Sequence, residues 1–386
     1  MKTIHVVVGA GLWEQDGLRY RRHRLADFLA AQPNTRQVFW ICPTPHHGSI
    51  TNVGEQGLIE QWPVQDLLPQ KTFRFGRYLS FFHKWQLTQL IHHLERFASH
   101  EPIYLWYTFP GFPILSQLFP WDKVIYDCSD LWTASIGGKR SLITRMRSHI
   151  ISQAEQRIID RADLIFCTSD YLHQQTVLKL PELKRNRVIT LENGVDYTLF
   201  SKPVDRSKRY SVAEGKLVLG YIGGIKPKLH FALLNKLAEK KPDWQLLLVG
   251  PDGTNGDPEF ARLIKRDNVD WIAGVPPYEV PHYMQLIAIG LMPYKSSPYN
   301  HAVFPLKLFE FLAAGKPAIG IHLPSTKKYE QQGCYQCVER EDVNQLIKVC
   351  EQMAVTIEQP EAVEKRKVLA QSKDWSKIFD TMLSYL

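Results

Sequence analysis

The feature that most constrains the fold of this chain is an alternation of short β-branched and aromatic runs with helical patterns, typical of parallel α/β units. The first series of predicted strands covers residues 5–9, 38–42, 103–107, 124–127, 164–168 and 188–191, with helices near 17–31, 78–99, 139–161 and 170–179. A second series follows, with strands at 216–222, 244–249, 269–272, 290–293 and 318–322. This restart predicts two doubly wound domains.

A polar, charged stretch without periodicity separates the two series at residues 201–215, contains Pro203 and is typical of a linker. A chain of 386 residues also exceeds what one hydrophobic core usually organises. We therefore expect an α/β protein with domains at 1–198 and 216–370, joined by a linker at 199–215 and facing each other across a cleft. Residues 371–386 include an amphipathic helix whose apolar face needs a packing partner.

The net charge of +8 lies mostly in the first half of the chain. Residues 1–190 hold 22 Lys and Arg against 16 Asp and Glu, which gives +6 and leaves +2 for the rest. Phosphorylated substrates and anionic headgroups suit this excess. Nucleic acid is not expected as a partner, because the basic residues come without a recognition motif. The sequence contains no apolar run of spanning length and no signal segment, so we expect a cytoplasmic protein, associated at most with the inner face of the membrane.

A helix with clear start and stop signals is predicted from Pro305 onward. Gly315 is expected as its left-handed C-terminal cap, and Pro317 prevents its continuation. It follows the strand at 290–293, so its N-terminus is expected at the carboxyl edge of a parallel sheet, where free N–H groups favour an anion such as pyrophosphate. Lys307 and Glu310 share one face and suit phosphate oxygens and sugar hydroxyls. The alternative is a solvated Lys–Glu pair on an ordinary amphipathic helix.

A second candidate for a phosphate contact follows the strand at 216–222, where Gly223 and Gly224 are succeeded by Lys226 and Lys228. Glycine permits close backbone approach, and lysine supplies a mobile positive charge. The alternative is a tight turn with surface lysines. Near the N-terminus, Gly9 and Gly11 also follow a strand, but the third position of a dinucleotide fingerprint is Glu14, which argues against a nicotinamide enzyme.

Six scattered cysteines indicate reduced, buried small hydrophobes rather than a disulfide framework. Cys334 and Cys337 form a lone C-x-x-C without a second pair at metal spacing, so we predict no metal site. Walker loops, His-Glu zinc motifs and nucleophile-elbow serines do not occur in the sequence, which argues against kinases, metallohydrolases and esterases.

Several stretches in a characteristic order resemble the family 4 glycosyltransferases of the GT-B fold, especially bacterial teichuronic-acid-type and other cell-surface polysaccharide transferases. The stretches are Trp13 with Arg19 to Leu25, Tyr126 to Asp130, Arg161 to Ser169, Glu192 to Asp196 with Phe200, Leu219 to Gly224, and Pro305 to Pro317. Together they span most of the chain. The resemblance implies transfer of a sugar from a UDP- or GDP-type donor to a glycan or lipid-linked glycan, without metal and with no cofactor besides the nucleotide-sugar substrate.

The resemblance also implies site residues. The donor is expected mainly in the second domain, with Glu310 on the ribose and the backbone before Pro305 on the diphosphate, and with residues 371–386 packing back on the first domain. The predicted donor-binding residues are Gly223, Gly224, Lys226, Lys228, His301, Ala302, Val303, Phe304, Lys307, Leu308 and Glu310.

Two departures from the family pattern bear on mechanism. Ala302 stands where the first carboxylate of the paired-glutamate motif belongs, eight residues before Glu310. Gly224 stands where the family has an arginine, which leaves Lys226 or Lys228 to neutralise the diphosphate. Family 4 enzymes retain anomeric configuration, so retention is the expectation, with inversion as the alternative.

On the acceptor side, inversion would need a base, for which Asp127 and Asp130 at a strand end are the candidates. Helix capping is the alternative for them, since Asp130 directly precedes a possible helix start. The predicted acceptor-side residues are Gly11, Arg19, Arg21, Arg22 and His23, with a solvated basic helix face as the alternative. Residues 72–85 mix aromatics and cations, as membrane-surface segments do, although a partly buried helix fits as well.

Two other functions fit the same fold. One is an epimerase or hydrolase of nucleotide sugars. The other is a non-catalytic nucleotide-sugar-binding protein of an assembly complex, which the alanine at position 302 would suit.

Overall fold

The computed structural model describes residues 2–13, 19–44, 51–53, 57–66, 76–97, 101–136, 141–202 and 215–386. They form two compact units, Met1–Glu192 with Phe379–Leu386, and Asn193–Ile378. Most of the predicted linker at 199–215 lies outside the described residues. The two α/β units confirm the fold class expected from the restarted strand pattern.

The first unit is built on a sheet of eight strands. They are β1 (Thr3–Val8), β2 (Thr35–Thr44), β3 (Thr51–Val53), β4 (Ile59–Gln65), β5 (Ile103–Tyr107), β6 (Lys123–Cys128), β7 (Leu164–Cys167) and β8 (Val188–Thr190). Their spatial order is β3-β4-β2-β1-β5-β6-β7-β8, with β3 antiparallel to β4 and the other pairs parallel. The helices are α1 (Arg21–Ala31), α2 (Lys84–Glu95), α3 (Leu115–Leu118), α4 (Leu142–Arg161) and α5 (Asp170–Val177).

The second unit has a six-stranded sheet, parallel throughout. Its strands are β9 (Val218–Ile222), β10 (Gln245–Val249), β11 (Val269–Ile272), β12 (Ile289–Pro293), β13 (Ala318–Ile321) and β14 (Tyr335–Val338), in the order β11-β10-β9-β12-β13-β14. The helices are α6 (Tyr197–Ser201), α7 (Phe231–Lys240), α8 (Pro258–Leu263), α9 (Val280–Leu286), α10 (Pro298–Ala302), α11 (Lys307–Ala313), α12 (Val343–Ala354) and α13 (Pro360–Gln371). The sheet order reverses between β9 and β12, the type of position where ligands of open α/β sheets bind.

A final helix, α14 (Trp375–Leu383), ends the chain. Its residues from Phe379 onward group with the first unit, where Phe379 packs on Phe28 with ring centroids 5.4 Å apart. Tyr385 lies against Phe166 of the same unit, with centroids 6.0 Å apart. Phe379 and Tyr385, near the C-terminal end of the chain, therefore have packing partners in the first unit.

Several elements differ from the sequence prediction. Strand β4 was missed because Pro63 within it argues against a strand, and β3 was missed because it has only three residues. The predicted helix start at Pro305 was wrong by two residues, since α11 begins at Lys307 and Pro305 only contributes a turn, its carbonyl accepting from Leu308 N–H at 3.3 Å. The predicted cap is present, because Gly315 has φ +75°.

None of the described helices is long and apolar enough to cross a membrane.

Candidate functional site

The loop after β9 comes close to the backbone at Gly250 and to the side chain of Lys307 at the carboxyl edge of the second sheet. Gly223 has φ +142°, and its carbonyl oxygen lies only 2.0 Å from where a Cβ on Gly250 would be. A Cβ on Gly223 itself would lie 3.3 Å from Lys307 Cε. Two elements that the sequence predicted separately, Gly223 and Lys307, therefore meet in the structure.

Lys307 and Glu310 are paired, with Nζ and Oε2 2.6 Å apart. Their side chains are 21% and 13% exposed, so the pair is not the solvated one of the alternative interpretation. An ammonium has three donors and a carboxylate has about four acceptor positions, so both groups keep hydrogen-bonding capacity for a ligand after pairing with each other. Glycine at position 290 explains how closely α11 packs on the sheet, because a Cβ there would lie 2.4 Å from the Phe311 ring.

The backbone before Pro305 is held by two side chains. The Val303 carbonyl accepts from Ser325 Oγ at 2.6 Å, and the Phe304 carbonyl accepts from Asn193 Nδ2 at 2.7 Å. Ala302, Val303, Phe304 and Leu308 are buried, so their side chains contribute packing and only their backbone can face a ligand. His301 lies at the end of α10, with Nε2 3.4 Å from Ser296 Oγ.

The lysine-bearing loop is braced by Asn300, which is fully buried. Its Nδ2 donates to the carbonyls of Lys228 and Lys295 at 3.2 and 2.7 Å. Lys228 Nζ lies 4.6 Å from the centre of the Tyr294 ring, a cation–π geometry. Lys226 folds back towards Gly224, its Cε 3.2 Å from where a Cβ would be. Both lysines thus extend from a loop whose backbone is held in place by Asn300.

A cluster that the sequence did not reveal lies at the same sheet edge. Glu341 Oε2 is 3.0 Å from His230 Nε2, and its Oε1 is 3.4 Å from His322 Nε2. The hydrogen bond from His230 lowers the pKa of Glu341, and burial lowers the pKa of His322 against the pull of the carboxylate. His230 Nδ1 accepts from Leu233 N–H at 3.2 Å, which caps α7 and places the imidazole proton on Nε2. These residues are about 20 to 110 positions apart in the chain, so no local spacing could have indicated them.

In the first unit, the candidate base Asp127 lies at the end of β6 and is buried. Arg21 Nε donates to both of its oxygens at 3.0 and 2.9 Å, and Arg21 Nη1 donates to the Glu192 carbonyl at 2.8 Å. Asp130 is half-buried and no described helix begins there, since α4 begins at Leu142 with Ser141 as its N-cap. Capping therefore does not account for Asp130, and the base role stays a prediction for both aspartates.

The predicted acceptor-side cluster is only partly at the surface. His23 is fully buried between Trp13 and Trp40, with ring centroids 5.3 and 5.2 Å away, and burial, reinforced by neighbouring arginines, lowers its pKa to about 3. With Arg21 also buried, a solvated basic face is excluded for these two residues.

The remaining acceptor-side candidates are more accessible. Arg19 pairs with Asp27 and lies over the Trp13 ring, and Arg22 lies over Tyr20. Beside Gly11 no described atom lies within 4 Å of where a Cβ would be. An acceptor contact stays a prediction for all of these residues.

All six cysteines are free. Within the described ranges, no group of three or more His, Cys, Asp or Glu side chains is arranged to hold a metal ion. Of the aromatic segment at 72–85, residues 72–75 lie outside the described part, whereas Phe81 and Trp85 are exposed and His83 is buried.

Comparison with known proteins gives matches to a family model, to a curated relative and to solved structures. A family model described as glycosyl transferases group 1 matches residues 216–355. A Bacillus subtilis (strain 168) protein, whose name describes it as a teichuronic acid biosynthesis glycosyltransferase, TuaH, is 49% identical over 385 residues, which cover 99% of this chain and 96% of that protein.

Solved structures share the fold at low identity. Anabaena HepE, crystallised with UDP and glucose, superimposes with a TM-score of 0.68 at 13% identity, covering 99% of both chains. WaaG, a glycosyltransferase involved in lipopolysaccharide biosynthesis, gives 0.67 at 15% identity, covering 98% of both chains. The two α/β sheets, the end-to-end relative and the family match at residues 216–355 agree, and the chain belongs to the group 1 glycosyltransferases of the GT-B fold.

Proposed function

We propose that this protein transfers a hexosyl group from a nucleotide sugar, UDP- or GDP-type, to a glycan or lipid-linked glycan during synthesis of a cell-surface polysaccharide of the teichuronic acid class. The observation that carries the proposal is the meeting of Gly223, Lys307 and Glu310 at one sheet edge, in a chain that matches TuaH from end to end. The UDP complex of HepE favours UDP over GDP as the nucleotide.

The chemistry of transfer assigns a task to each donor-side group. For retention, the acceptor hydroxyl oxygen forms a bond to the anomeric carbon on the face that the diphosphate leaves, while the bond from that carbon to the diphosphate breaks. The nucleoside diphosphate leaves with the electron pair, and one of its phosphate oxygens takes the hydroxyl proton. Lys307, with Lys226 or Lys228, would stabilise the charge on the departing diphosphate. Glu310 would accept hydrogen bonds from the ribose hydroxyls and fix the donor in place. With these cations present, the mechanism needs neither a metal nor a further cofactor.

Retention of anomeric configuration goes with this proposal. Ala302 removes one carboxylate from the donor side, and the two candidate bases differ in access. Inversion, the alternative, would need a base for the proton of the acceptor hydroxyl, and of the two candidates the half-buried Asp130 is more accessible than Asp127, which is buried against Arg21. Cytoplasmic action at the inner face of an anionic membrane fits the +6 charge of residues 1–190.

Thermal unfolding in the presence of nucleoside diphosphates tests the donor site. A ligand at about a hundred times its Kd stabilises the folded protein by about 2.7 kcal/mol, so one nucleoside diphosphate should raise Tm clearly. The rise should be lost in Glu310→Ala and kept in Glu364→Ala, a control on an exposed residue of α13. Failure of every nucleoside diphosphate to raise Tm would contradict the proposal.

Incubation with the donor that binds then tests the reaction. Sugar transfer to membrane-extracted acceptors supports the transferase. Donor turnover without any acceptor would favour an epimerase or hydrolase, and binding without turnover would favour the non-catalytic assembly protein.

A further inference from the structure

The first two turns of α4 project beyond the packed part of the first unit. From Leu142 to His149 no residue is buried, and the first buried residue of the helix is Ile151. Three large apolar side chains are exposed there, Leu142 at 82%, Ile143 at 68% and Met146 at 51%. Scattered exposed apolar residues are ordinary, but three within five positions of one helix form a patch that calls for a partner.

The patch forms an amphipathic stripe. At about 100° per residue, Leu142, Met146 and Ile143 fall within a sector of about 100° of the helix circumference. Arg145 lies about 60° to one side of that sector and Arg147 about 40° to the other. Both arginines are exposed, and among the described residues neither takes part in an ion pair. An apolar strip edged by arginines is the pattern of a helix lying in a membrane interface, with its cations extended to the headgroups.

The charge of the surrounding sequence selects the kind of partner. Between Asp130 and Glu155 the chain has no acidic residue and four Lys or Arg. A second copy of this chain is a poor partner, because a twofold interface brings the same patch against itself and would oppose like charges. An anionic surface complements the patch, and each arginine close to such a surface strengthens binding about fivefold.

We propose that the projecting segment Leu142–His149 is a docking surface for anionic lipid bilayers. Because α4 follows β6, the segment starts from the same carboxyl edge of the sheet at which Asp127 and Asp130 lie. Docking there would hold that edge at the membrane, where a lipid-linked acceptor presents its headgroup. The inference rests on the proposed function for its purpose, but its test needs neither donor nor acceptor.

Co-sedimentation of the full-length protein with vesicles provides the test. We compare phosphatidylglycerol-containing vesicles with pure phosphatidylcholine vesicles, at low and high salt. The variants are Leu142→Ser/Ile143→Ser/Met146→Ser, Arg145→Gln/Arg147→Gln and, for the exposed aromatic residues at and before the start of α2, Phe81→Ser/Trp85→Ser. A matched control, Val355→Ser/Val368→Ser, removes two exposed apolar side chains from the second unit. The Tm of each variant, with and without UDP, verifies that it folds and separates this inference from the donor site.

The expected result is preferential binding to anionic vesicles, weakened about tenfold or more in the apolar variant and about 25-fold in the arginine variant, with the control unchanged. Equal binding by both variants and the wild type would overturn the proposal. Loss of binding only in Phe81→Ser/Trp85→Ser would assign the contact to the α2 region instead. A dimer in sedimentation that the apolar variant abolishes, without vesicle binding, would make the patch a self-association surface and also overturn it.

Discussion

Lys307 Nζ lies 2.6 Å from Glu310 Oε2, and a Cβ on Gly223 would be 3.3 Å from Lys307 Cε. The lysine is therefore fixed between a carboxylate of its own helix and the backbone of the loop after β9. A cation fixed in this way loses little freedom when a diphosphate binds, which favours affinity. Changes at Lys307 or at Gly223 should therefore alter the binding of a nucleoside diphosphate.

Replacing Lys307 by methionine should weaken binding of UDP about tenfold or more, because a charge-assisted contact to the diphosphate contributes roughly 1.5–3 kcal/mol. Isothermal titration calorimetry measures the change. Lys236→Met, at an exposed position of α7, is the matched control and should bind like the wild type. An unchanged Kd in Lys307→Met would remove this lysine from the donor site.

Gly223→Ala should lower both stability and UDP affinity. Its φ of +142° strains any other residue, at a cost of roughly 1–3 kcal/mol, and the new methyl group would press on Lys307. Gly256→Ala is the control, because it also has a positive φ, +83°, but no described atom within 4 Å of its Cβ position. Gly256→Ala should lose stability only. Equal UDP affinities for the two variants would disprove the contact through Lys307.

Asp127→Asn should destabilise the first unit by roughly 3–5 kcal/mol, because it leaves the buried Arg21 charge without its partner. Urea unfolding followed by circular dichroism measures the loss, and Asp380→Asn, at an exposed position, should stay within about 0.5 kcal/mol of the wild type. The double variant Arg21→Met/Asp127→Leu should recover much of the loss. A fully stable Asp127→Asn that lacks transferase activity would instead support the base role.

Burial of His23 should make the free energy of unfolding depend on pH. Its pKa is lowered to about 3 by burial, so between pH 6.5 and about 3 the unfolded chain binds a proton that the folded chain does not. The contribution of His23 to the free energy of unfolding is therefore complete above pH 6.5. Below that pH it falls by about 1.4 kcal/mol for each pH unit, down to pH about 3. Urea unfolding at pH 7 and pH 5 should show a smaller difference in His23→Phe than in the wild type. His92→Phe, at an exposed position, should keep the wild-type difference.

Much of the structure around the proposed donor site could be predicted from the sequence because its signals are local. Glycines after a strand, a capped helix and a lysine three residues before a glutamate are all patterns of short spacing, and the structure places them at one sheet edge. The acceptor side was less predictable. The same arginine and histidine types at 19–23 suit a ligand site or a core, and only packing against distant residues distinguishes the two.

By itself the sequence determined the α/β class, the division into two strand series and the close spacing of Lys307 with Glu310, because periodicity and turn chemistry act over a few residues. Only the tertiary structure decided that Arg21 pairs with Asp127 across 106 positions, that His23 lies between two tryptophans, and that Glu341 joins His230 to His322. These contacts depend on how distant strands and helices are brought together, and no local pattern encodes which strand ends become neighbours.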